Sequence, residues 1–83
     1  MPTILFIAGW RIFFYSNEGT EPMHVHCEKG DMECKFWIHE DVFEIAEVFA
    51  FNLKPSDKKE IRKILYEHLE YIIKEWNNYF KSK

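Results

Sequence analysis

The front of the chain is built from short alternating segments, and the back follows a helical period. Thr3–Ile7 and residues 11–16 are rich in β-branched and aromatic side chains. They are separated by Ala8-Gly9-Trp10, which predicts a hairpin with Gly9 supplying the φ > 0 position of the turn. In the second segment Arg11, Phe13 and Tyr15 share one face and Ile12 and Phe14 the other. Rings on both faces predict an interior strand covered on more than one side. A turn-rich stretch, residues 16–22, follows. Residues 23–28 and 33–39 then alternate strictly about Lys29-Gly30-Asp31-Met32. With Gly30-Asp31 as a type I′ or II′ loop, His24 faces Trp37, Val25 faces Phe36, His26 faces Lys35 and Cys27 faces Cys34. Val25, Cys27, Cys34, Phe36 and Ile38 then form a core face. His24, His26, Glu28, Glu33, Lys35, Trp37 and His39 form a polar face turned away from that core.

Residues 41–52 carry two periods at once. Asp41, Glu44 and Glu47 recur at helical spacing, while the Val, Phe and Ile content suits a strand; the reading leans to a short helix or an irregular segment. Ser56 then reads as an N-cap, with Asp57 at the positive end of the helix dipole and Pro55 blocking backward extension. Ile61, Ile64, Leu65, Leu69, Ile72, Ile73, Trp76 and Phe80 make one apolar stripe. About 24 residues at 1.5 Å each give a rod of roughly 36 Å, as one helix or a lightly broken pair. The expected fold is α+β: an antiparallel sheet of about four strands (two hairpins), one face covered by a long C-terminal helix, in a single domain over 1–83.

Composition adds a constraint. A chain of 83 residues buries only about 60% of its unfolded surface, and this one compensates with 8 Phe, 4 Tyr and 3 Trp. That much ring surface also points to a self-interface or a partner interface, so a small protein partner or a homodimer is expected. No apolar run approaches the roughly 20 residues of a membrane span, and the start lacks the basic region of a secretory signal. With only two cysteines and no Cys-x-x-Cys spacing, a reducing, cytoplasmic setting is the expectation. Cys27 and Cys34 are read as two buried thiols in preference to a disulfide.

The net charge of −3 hides an asymmetry. Residues 1–53 hold three basic and nine acidic side chains, a net −6, and residues 54–83 hold eight and five, a net +3. Lys54, Lys58, Lys59, Arg62 and Lys63 are a candidate basic patch for nucleic acid, with a solvated helix face as the commoner role of such a run.

The strongest chemical signal is His24-Val25-His26, because a strand puts residues i and i+2 on one face. Two imidazoles suit a divalent metal, a phosphate or a proton. A metal needs at least one more ligand. His39 lies diagonally across the hairpin, and Glu18 or Glu21 from the preceding loop would complete a two-His-one-carboxylate set. Lys35 opposite His26 works against a cation. Structural or interface histidines are the commoner alternative, and His68 reads as a packing residue. Trp10, Trp37 and Tyr79 are candidates for stacking on bases, with packing favoured. Gly-rich phosphate loops, Gly-x-Ser-x-Gly and His-Glu-x-x-His are absent from the sequence.

Met1-Pro2-Thr3-Ile4, Phe13-Phe14-Tyr15-Ser16-Asn17-Glu18-Gly19, Glu21-Pro22-Met23-His24-Val25-His26, Lys35-Phe36-Trp37-Ile38 and Trp76-Asn77-Asn78-Tyr79-Phe80 together resemble the prokaryotic DUF4160 family over nearly the whole chain. The resemblance implies a small domain of unknown function, encoded beside a second such domain, DUF2442, in an arrangement like a toxin–antitoxin module. It places Glu18, Pro22, His24 and His26 on the family motif. Met23 departs from the second Pro often found there, and His39 and residues 42–50 fall outside the pattern, which moves weight from His39 to Glu18. Two functions follow as expectations. One is a protein-interaction component of a toxin–antitoxin-like pair. The other is a metal-dependent or His-mediated ribonuclease or hydrolase working through His24, His26 and Glu18.

Overall fold

The computed structural model describes residues 3–15 and 21–81, so Glu18 lies outside the described residues. Five strands, β1 (Thr3–Ile7), β2 (Trp10–Phe13), β3 (His24–Lys29), β4 (Met32–His39) and β5 (Glu44–Phe51), are followed by α1 (Pro55–Glu67) and α2 (Leu69–Lys81). The sheet is antiparallel throughout and runs in chain order, β1-β2-β3-β4-β5.

The first hairpin closes on a two-residue loop, with Ala8 at φ 52° and Gly9 at φ 82°. Positive φ at both central positions is the type I′ geometry, whose twist matches that of the strands it joins. Trp10 is therefore the first residue of β2 and not part of the loop. A Cβ on Gly9 would stand 3.0 Å from Lys29 Cε, at the flexible end of that side chain, so it is the positive φ that favours glycine here. In the second hairpin Gly30 alone has positive φ, the type II′ pattern. The pairing it sets is the one the alternation predicts: His24 with Trp37, Val25 with Phe36, His26 with Lys35 and Cys27 with Cys34.

Within residues 41–52, Glu44–Phe51 form a strand, which corrects the helical or irregular reading. β5 pairs with β4, but the register slips where Lys35 meets Phe49 and Phe36 meets Glu47, leaving Val48 as an extra residue. A bulge of this kind breaks strict alternation within the strand. Phe43, in the turn leading into β5, sits at φ 56°, a region that costs a bulky L-residue roughly 1–2 kcal/mol.

The helical third differs at its start and, of the two forms expected, takes the broken pair. The helix begins at Pro55, with Lys54 as its N-cap, and the Asp57 carboxylate accepts from the Lys54 N–H at 3.1 Å. Pro at the first helical position loses no hydrogen bond, so Ser56 falls one place inside the helix and caps nothing. At His68 (φ −116°, ψ 14°) the rod breaks into α1 and α2. The hydrogen-bond ladder nevertheless runs on through the break, from His68 N–H to Ile64 O and from Ile72 N–H to His68 O.

Both helices pack on one face of the sheet. Trp10, Ile12, Val25, Cys27, Cys34 and Phe36 meet Ile61, Leu65, Leu69 and Ile72, all without exposed surface. Trp10 is a core residue, and its indole N–H donates to Glu60 Oε1 at 2.8 Å. Lys29 Nζ reaches the same oxygen at 3.3 Å. The Trp10 bond first, and then Lys29, hold the Glu60 carboxyl below its usual range. Cys27 and Cys34 are free, buried thiols. The hydrogen bond between them, followed by burial, pushes the Cys27 thiol well above its ordinary value.

Candidate functional site

β3 presents His24 as its first residue and His26 two places on, with ring centroids 5.2 Å apart. The Pro22 carbonyl can only accept, so His24 Nδ1 donates to it, at 2.8 Å. That bond fixes the tautomer with the lone pair on Nε2. The His24 ring meets Trp37 edge-on at 5.5 Å and Trp76 of α2 at 5.2 Å. His24 has no exposed surface. The alternation of β3 and β4 placed it on a polar face away from the helices. The structure corrects this, because Trp76 reaches it from 52 positions along the chain.

His26 is 9% exposed. It stacks on Phe13 at 5.4 Å with an interplanar angle of 21° and meets Tyr15 edge-on at 4.9 Å. Lys35, opposite His26, lies with Nζ 4.7 Å from the Trp37 ring centroid and 3.9 Å from Glu21 Oε1. On the neighbouring strand Arg11 stands 4.5 Å over Phe13 and bonds Glu28 at 3.1 Å. The histidines thus belong to a layer of rings and cations, with each cation matched by a carboxylate.

Phe13, Tyr15 and Trp76 are members of this layer that motif reasoning missed. For Phe13 the signal was available: it shares a face with Arg11 and Tyr15, and β2 beside β3 puts it opposite His26. For Trp76 the helical stripe gave burial but not its partner.

The remaining candidates are scattered. His39 is exposed at the end of β4 and lines a shallow groove of about 510 Å³ with Glu21, Glu40 and Asp41, where Trp76 and Asn77 also contribute. The Asn77 Oδ1 is buried there without a hydrogen-bond partner. Among the described residues no three His, Cys, Asp or Glu side chains converge as a metal site; Glu18 lies outside them. His68 sits half-buried at the helix break. Of the basic run, Lys58 is 3.7 Å from Glu47 and Arg62 lies 6.0 Å from the Tyr66 ring, while Lys54, Lys59 and Lys63 are exposed. Tyr79 packs edge-on to Phe14 at 5.3 Å, and Trp37 carries Lys35 on its face.

The arrangement offers rings and guanidinium or ammonium groups for contact, and one of its two imidazoles, that of His24, is sealed from solvent. No helix among the described residues is long and apolar enough to cross a membrane.

No curated protein and no solved structure matches the chain. A family model does: the one described as a domain of unknown function, DUF4160, over residues 9–77. That span begins in the first hairpin loop and ends one residue past Trp76, and it includes Pro22, His24 and His26. With the match covering most of its 83 residues, the chain belongs to the DUF4160 family.

Proposed function

We propose that this chain is a protein-interaction component, one half of a small toxin–antitoxin-like pair. The observation that supports this reading is the outer face of the sheet. The helices occupy the opposite face, while the outer one bears Phe6 at 73% exposure, Tyr15 at 41% and Phe49 at 39%. Half-buried Arg11 and Trp37 lie on the strands between Phe6 and Phe49, and aromatic and Arg side chains are enriched at protein interfaces. The paired-gene arrangement implied by the family resemblance supplies the partner class, the small protein encoded alongside. Co-expression with that protein is expected to yield a stable complex at micromolar concentration. Phe6→Glu with Tyr15→Glu is expected to weaken it at least tenfold while leaving the chain folded. Absence of a complex at about 10 µM would overturn the reading.

One observation favours a second reading, a His-mediated or metal-dependent ribonuclease or other hydrolase using His24, His26 and Glu18: the 5.2 Å separation of the two imidazoles. Purified protein is then expected to cleave RNA, with the activity lost in His26→Ala, and to carry near-stoichiometric divalent metal if the metal variant holds. No cleavage with or without added metal sinks it.

A further inference from the structure

β5 ends the sheet beyond β4, and among the described residues five of the nine exposed large hydrophobics lie on it or in the turn before it. Val48, Phe49 and Phe51 lie within the strand, with exposures of 41, 39 and 66%, and Val42 and Phe43 lie in the turn before it at 59 and 47%. An edge strand leaves a row of N–H and C=O groups for another strand to pair with. Guards are present at the start of β5. Ile45 N–H donates to the Tyr66 hydroxyl at 3.3 Å, and Lys58 approaches Glu47 at 3.7 Å. Past Glu47 the rings stand out. Phe43, the last residue of the loop joining His39 to Glu44, leaves its ring about half in water.

The charge order along this segment selects the partner. Glu40, Asp41 and Glu44 precede the apolar centre and Lys54 and Lys59 follow it, while Glu47 and Lys58 pair with each other within the chain. A parallel second strand would set carboxylate against carboxylate. An antiparallel one, related by a two-fold axis between Glu47 and Val48, sets the acidic end of each copy against the basic end of the other. Asp41, in the turn before β5, and Lys54 of the partner subunit, past the strand's other end, then lie at the same end of the paired strands. We infer that β5 pairs edge to edge with β5 of a second copy of this chain, forming a two-fold homodimer whose sheet runs continuously through both. The Tyr66 hydroxyl on Ile45 confines the new ladder to the centre of the strand.

The area is sufficient for a weak dimer. A Phe ring presents roughly 150–250 Å², so the five exposed side chains of both copies bury on the order of 900 Å² before the backbone edge is counted. That lies near the roughly 1,000 Å² lower limit for a specific interface.

Sedimentation equilibrium of the full chain alone tests this. At about 100 µM and low salt the mass is expected to be that of a dimer, and dissociation is expected to rise with added salt. Phe51→Glu and, separately, Lys54→Asp are each expected to weaken association at least tenfold. Both positions are exposed, and circular dichroism confirms that the variants are folded. Combining Lys54→Asp with Asp41→Lys is expected to restore the dimer. A monomer at every concentration overturns the inference, as does a dimer indifferent to Phe51→Glu or to the charge exchange. The measurement needs no second protein and leaves Phe6 and Tyr15 intact, so its failure is distinguishable from failure of the pairing with a neighbouring gene product.

Discussion

Cys27 and Cys34 face each other across β3 and β4 with no exposed surface on either. Their mutual hydrogen bond and their burial favour the neutral thiol in the folded state. An acid whose folded pKa is raised contributes stability that is complete below its unfolded value, about 8.5 for a thiol, and is lost as pH climbs through the folded one. The urea midpoint is therefore expected to hold between about pH 7 and 8 and to fall above about pH 9. Cys27→Ala should flatten that alkaline fall. A midpoint equally steep in both proteins would refute the linkage. His24 teaches a different lesson at this scale. Its facing partner, Trp37, followed from alternation, but its burial depends on Trp76, whose approach no local pattern encodes.

α2 is the element that ties the sheet end together. Trp76 packs at 5.2 Å on Phe14, at 5.2 Å on His24 and at 4.4 Å on Phe80. Trp76→Ala is expected to cost about 3–5 kcal/mol, the range for removing a buried large ring, as read from urea denaturation. A loss below about 1 kcal/mol would mean that the helix end is not structurally coupled to the His pair. The elements were unequally legible in the sequence. The β3–β4 register could be read because both strands alternate without a break around one glycine turn. β5 could not, because the Val48 bulge shifts the parity, and Asp41, Glu44 and Glu47 then imitate a helical repeat. A broken pair was among the expected forms, but the place of the break at His68 was hidden for another reason. Neither Gly nor Pro marks it, and the apolar stripe crosses it unbroken because both helices pack on the same core.

At the scale of the whole molecule, each strand lies beside the one before it in the chain. The consequence is kinetic. Every sheet contact closes a short loop, so little chain entropy is spent before a pairing rewards it. The five strands can assemble hairpin by hairpin as they are made, but the core face they create has no cover until both helices follow. The main refolding phase of the full chain is expected on the millisecond scale, as for mixed α/β domains with local contacts; a main phase of many seconds in stopped-flow fluorescence, beyond the minor one that proline isomerisation gives, would contradict it. A fragment ending at Asn52 would expose Trp10, Ile12, Phe36 and their neighbours to water, and it is expected to aggregate instead of holding its sheet. The meander thus favours rapid folding and leaves the core face dependent for its cover on the thirty-one residues after Asn52.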